Sequence, residues 1–167
     1  MTHQTNSGET NSAEERMNKV DLLLDQYERE LNLPEYNKAD HAEVSKYLSI
    51  NRQDISKLTP DESAEIEIVL KRYAFYIQRF LNKEVSRVNW ANDALKIMVA
   101  DSVDQYSGYS YAERFHKAIK NNAAALKVFT LKNKAQQKVD RLQFIANSVK
   151  DIANAFSSLR YVKSNIK

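Results

Sequence analysis

Cysteine is absent from the 167 residues, and glycine and proline occur only twice each. Without cysteine there is no disulfide framework and no thiolate zinc site. With so few turn formers, a sheet joined by many tight turns is disfavoured. The three histidines, His3, His41 and His116, show no metal-ligand spacing. No apolar run approaches the roughly 20 residues of a membrane span. The opening MTHQTNSGETNSAEER has no apolar segment of the secretion-signal kind, so the expectation is a soluble, cytoplasmic protein. Phosphate-binding glycine loops, HExxH and Gly-x-Ser-x-Gly are all missing. Glu113 and His116 have Glu-x-x-His spacing, but no second such pair completes a carboxylate metal site. Asp61, Glu62 and Glu65 cluster at a helix start, where the helix dipole accounts for them. The expectation is a chain without catalysis, metal or cofactor.

What is present is helical periodicity. Residues 1–11 are polar and without period, and read as a disordered tail. Residues 12–58 read as an acidic helical region. Ser12–Glu15 forms a capping box, followed by the stripe Met17, Val20, Leu24, Tyr27, Leu31, which should stop before Pro34. Asp40–Glu43 opens a second short helix to about Leu48, and Asn51–Leu58 is a link holding about one helical turn. Residues 59–167 read as two long helices. Thr59-Pro60-Asp61-Glu62 places a cap, a first-turn proline and two acids in register. The helix it starts can run to about Tyr106 on the stripe Ile66, Leu70, Tyr73, Ile77, Leu81, Val85, Val88, Ala91, Leu95, Met98, Val103. Phe75, Phe80, Trp90 and Ile97 widen the apolar arc. Gly108 is expected to end that segment in a left-handed conformation. Ser110 and Glu113 form the capping box of the next helix, whose Ser and Glu satisfy each other's backbone N–H groups. That helix runs through Lys163 on Phe115, Ile119, Leu126, Phe129, Val139, Leu142, Ala146, Val149, Ile152, Phe156 and Leu159. Asn122, Asn133 and Gln136 are polar interruptions of the stripe. The fold class is all-α: two short amino-terminal helices, then an elongated antiparallel hairpin of two long helices. So much apolar surface predicts an oligomer.

Charge is polarised along the chain. Residues 1–67 carry net −8, residues 68–108 net +2 and residues 109–167 net +9. From Lys117 to Lys138 there are six lysines and no acid. Lys120, Lys127, Lys134 and Arg141 recur every seven residues, with Lys117 and Lys138 beside them, and the same helix also supplies Lys132. Arg72, Arg79, Lys83 and Arg87 form a second basic line, and Tyr106 and Tyr109 lie in the turn between the long helices. Basic tracks for phosphates and aromatic faces for bases are the chemistry of single-stranded nucleic acid binding. These thirteen residues are the candidate site. The acidic region is a candidate docking or regulatory arm, and within an oligomer the two halves could also attract each other.

From Pro60 onward the layout resembles the UvsY-like recombination mediators of large tailed phages. Their long helix ends in a basic segment followed by Asp-Tyr-Tyr-Ser-Gly, matched here by Asp104-Gln105-Tyr106-Ser107-Gly108. The spacing of small and apolar residues over Asn121–Tyr161 is also similar. The resemblance covers about two thirds of the chain. It implies single-stranded DNA binding, ring assembly, and loading of a RecA-like recombinase onto DNA covered by single-strand-binding protein. The family's Leu-Lys-Ala-Arg-Leu segment is Val99-Ala100-Asp101-Ser102-Val103 here, so its Lys and Arg fall on Ala100 and Ser102. DNA contact then moves to the two basic lines. The alternative is a helical assembly or adaptor protein, phage structural or host-binding, whose basic face meets an acidic protein.

Overall fold

The computed structural model describes residues 7–31 and 41–165. Among these, every regular element is helical: α1 (Ser7–Glu30), α2 (His41–Leu48), α3 (Arg52–Lys57), α4 (Pro60–Val99), a 3₁₀ turn (Val103–Gln105), α5 (Tyr111–Asn121) and α6 (Ala123–Ser164). The two long helices, α4 and α6, pack together. The chain forms two compact units, each drawing on both halves of the sequence. One holds α1, α4 from Lys83 onward, α5, and α6 up to Val139. The other holds α2, α3, α4 up to Asn82, and α6 from Asp140.

In the first unit Ala91, Leu95 and Val99 of α4 share a buried cluster with Ala125 and Val128 of α6, Ala118 and Ile119 of α5, Val103, and Met17 of α1. Trp90, Phe115, Phe129 and Tyr106 lie half-buried against it. In the second unit Leu70, Ala74 and Ile77 of α4 meet Ala146, Val149, Ala153 and Phe156 of α6, with Val44 of α2 and Ile66 completing the cluster. In both, α4 and α6 place alanines at positions less than 2% exposed. A small side chain at such a position lets two helix backbones approach closely, and larger neighbours fill the space on either side.

The helix ends follow local chemistry. Thr59 and Glu62 close the expected capping box: Glu62 Oε2 accepts from the Thr59 N–H (2.7 Å), and Thr59 Oγ1 accepts from the Glu62 N–H (3.2 Å). The Thr59 backbone donor holds the Glu62 carboxyl below its ordinary value. Asn51 caps α3 through the Asp54 N–H at 2.9 Å. At the other end of α3, Lys163 donates to the carbonyls of Ile55, Ser56 and Leu58, a cation where the helix dipole is negative.

Several boundaries differ from the sequence reading. α1 starts at Ser7, taking in residues expected to be tail, and at 24 residues it is not short. Residues 1–6, Asp40 and the stop before Pro34 lie outside the described residues. α4 ends at Val99, followed by the 3₁₀ turn, and does not continue to Tyr106. Gly108 is not left-handed. The chain passes close to its neighbours there: a Cβ would lie 3.0 Å from Cγ of Arg114 and 3.2 Å from the Glu113 carboxylate, so those side chains would have to give slightly to admit one. Ser110 Oγ does cap Glu113 N–H, but the Glu113 carboxylate reaches back to the Tyr109 N–H (3.0 Å), not to that of Ser110. The single helix expected from Ser110 is broken at Asn122, whose backbone is extended (φ −112°, ψ 108°). Its side chain caps α6 by accepting from the Ala125 N–H at 3.0 Å. An asparagine read as a gap in a stripe is a helix start, because its short side chain competes well for a first-turn N–H. Asn122→Ala is expected to cost about 1 kcal/mol in urea unfolding, and Asn122→Asp to be near neutral.

Within the second unit a buried acid is built into α4. Glu67, only 7% exposed, accepts from Lys71 one turn on, and Arg160 of α6 lies 3.5 Å from its other oxygen. The Lys71 hydrogen bond comes first among the causes that hold its carboxyl below the ordinary value, with Lys71 and Arg160 charges adding to it. A carboxyl with a lowered folded pKa contributes its stability in full above the ordinary glutamate range, and loses it as pH falls through the folded value. Acid unfolding followed between about pH 5 and 3 should therefore be less steep in Glu67→Gln than in the wild type. The variant should also be the less stable of the two at pH 7.

Candidate nucleic-acid interface

Opposite charges at equal spacing join α1 to α4 in the first unit. Asp21 and Asp25 are one helical turn apart on α1, and Lys83 and Arg87 are one turn apart on α4. Asp21 takes a forked pair from Arg87, with Arg87 Nε 3.2 Å from Oδ1 and Nη2 on Oδ2. Asp25 takes Lys83. Residue 21 meets 87 and residue 25 meets 83, so the two helices run antiparallel here. Met17, one turn earlier on α1, enters the same buried cluster as Ala91, one turn later on α4. The Asp21 hydrogen bond is the largest of the causes that raise the Arg87 pKa further above its already high ordinary value. Both partners of that pair are about four-fifths buried, so water competes poorly for either charge.

Glu84 lies between these cations. It is 9% exposed, and its Oε1 accepts from Arg87 Nη1 (2.8 Å) and from Lys138 Nζ of α6 (3.1 Å). Its Oε2 is buried with no hydrogen-bond partner among the described residues. Beside this network a groove of about 220 Å³ is lined by Glu14, Met17, Arg87, Leu131, Lys134 and Lys138. A smaller one of about 150 Å³ brings Glu14 together with Lys127 and Lys134.

The thirteen candidate residues therefore separate. Lys83, Arg87, Lys127, Lys134 and Lys138 come together around α1 in the first unit. At about 100° per residue, Lys127, Lys134 and Lys138 form one line on α6, while Lys132 lies well round the helix, its Nζ 5.7 Å from the Phe129 ring. Lys120 is exposed on α5. Lys117 braces the turn, donating to the Ser107 carbonyl at 2.7 Å and pairing with Glu113 at 2.9 Å, and it lowers the Glu113 pKa. Tyr109 is fully exposed, whereas Tyr106 packs on the core cluster. Arg72, Arg79 and Arg141 belong to the second unit, Arg72 and Arg141 exposed and Arg79 half-buried.

The sequence reading missed the acids: Glu14, Asp21, Asp25 and Glu84. The signal was present as two i,i+4 charge pairs of opposite sign, which is what two facing helices need. Glu113 is committed to Lys117 and the turn, and His116 stacks its edge near Phe115 and Phe129. Among the described residues no group of three His, Asp or Glu side chains is placed to hold a metal ion. No helix of the described residues is long and apolar enough to cross a membrane. No protein-family profile, curated protein or solved structure matches the chain.

Proposed function

We propose that this chain is a non-enzymatic, single-stranded-DNA-binding protein that acts as a recombination mediator or accessory. The carrying observation is the acid-free run from Lys117 to Lys138, whose Lys127, Lys134 and Lys138 form one line on α6. Such a line meets successive phosphates of a flexible strand and releases their counterions. Exposed Tyr109 offers a face on which a base can stack. The mediator role, with a RecA-like recombinase and single-strand-binding protein as partners in a host cytoplasm, is supported by the Asp104–Gly108 resemblance. Assembly of several copies would multiply weak contacts into useful affinity.

The test is anisotropy of a labelled oligo-dT strand at low and at high salt, with a duplex of equal length as control. Tight, salt-sensitive binding that favours the single strand supports the reading, and no binding at low salt overturns it. A second reading, a helical adaptor whose basic face meets an acidic protein, is favoured by one observation: an acidic helix already sits on Lys83 and Arg87. Poly-glutamate competing with oligo-dT at equal charge would favour that reading.

A further inference from the structure

α1 is attached to its unit by two ion pairs and by a short apolar contact through Met17 and Ala13. Among its described side chains only Met17 is buried, while Leu22, Leu23 and Tyr27 in its carboxyl-terminal half and Leu31 just beyond it are all more than half exposed. What it places on α4 and α6 is a row of carboxylates: Glu14 beside Lys134 and Lys127, Asp21 on Arg87, Asp25 on Lys83. Side chains one turn apart on a helix are about 6 Å from each other, comparable with the step between phosphates of an extended strand. The surface beneath combines those cations with Lys138 and with the apolar edge of Trp90, the chain's only tryptophan.

We propose that the face of α4 and α6 under α1 is itself a single-strand-binding site, and that α1 occupies it as an acidic stand-in for the strand's phosphates. This rests on the single-strand reading above and adds its regulation. In the closed form the strand has only cations away from α1, such as the exposed Lys120. When α1 lifts, Lys83 loses Asp25 and Arg87 loses Asp21 while keeping Glu84 of its own helix, so both turn toward the strand, and Trp90 becomes available for stacking. Strand binding and α1 docking then exclude each other, so the polyanion draws the population toward the open form by its greater affinity for it.

The experiment uses the full chain and the near-isosteric double variant D21N/D25N, with the single variant D25N as a milder form. E15Q/D101N, which makes the same charge change at exposed positions, is the control. Helix content by circular dichroism confirms that each is folded. Two newly available cations should steepen the slope of log affinity against log salt by about two units in the double variant and about one in D25N. Affinity for oligo-dT at low salt should rise about tenfold in the double variant, with little change in the control. Trp90 emission of the wild type should shift when oligo-dT is added, and that of the double variant should already be shifted without it. Wild-type binding with unchanged slope, affinity and emission in D21N/D25N and D25N overturns this inference while leaving the single-strand reading in place. Absence of oligo-dT binding in every form overturns both. An equal Trp90 shift with poly-glutamate overturns the assignment of the site to a nucleic-acid strand.

Discussion

Charge reversal at Lys127 and Lys134, combined with Lys138→Gln, is expected to lower single-strand affinity at low salt by two to three orders of magnitude. These three residues lie on one line of α6 in a stretch with no acid of its own. Each phosphate contact contributes close to one unit of salt slope, so losing three should flatten the slope by nearly three. Reversing a sign also repels a phosphate that was attracted, which is why the loss should exceed that of three neutral variants. Lys138 is made neutral, not acidic, for a structural reason. Its Nζ lies 3.1 Å from the buried Glu84 carboxylate, and a second carboxylate there would confound binding with unfolding. The comparison that gives the experiment meaning is Lys132→Glu. Lys132 lies off the line, against Phe129, and its reversal should cost well under tenfold. Equal losses from Lys132→Glu and from the triple variant would mean that net charge, not the line, governs binding.

The helical class was legible because the chain has almost no turn formers and carries apolar residues three and four apart over most of its length. Caps were legible where residue type and position agreed, as at Thr59 with Glu62. They were not legible at Asn122, where the apolar stripe continues across the break and hides it. The face of α4 was read only in part. Val85 and Met98 were placed in its stripe and stand more than a third exposed, while Ala74 and Val99 are buried in their place. Periodicity locates a face to within about one residue, roughly 100° of rotation, and only the neighbours decide which edge of a wide arc is covered. The basic line Lys83–Arg87 was legible as charge but not as an ion-pair network. Its partners, Asp21 and Asp25, lie more than fifty residues away in a region that is acidic as a whole. A pair of that kind becomes visible only when both helices are known to face each other.

Leu95→Ala is expected to be among the most damaging single substitutions in the first unit, costing about 3 to 4 kcal/mol in urea unfolding. Leu95 is 1% exposed and sits between Ala91 and Val99 in the cluster that joins α4, α5, α6 and Met17 of α1. Its truncation removes apolar burial and leaves a void that neighbouring alanines are too small to fill. Ile97, two residues on, was placed on the apolar arc by the same periodicity and is 79% exposed. Ile97→Ala should cost less than about 0.5 kcal/mol in the isolated chain. The contrast separates a buried face from an apolar one. If Ile97→Ala instead proves as costly as Leu95→Ala, and its cost rises with protein concentration, then Ile97 is covered in solution by another copy of the chain, because only association makes stability depend on concentration. A cost that is large but independent of concentration would place the cover within the chain itself.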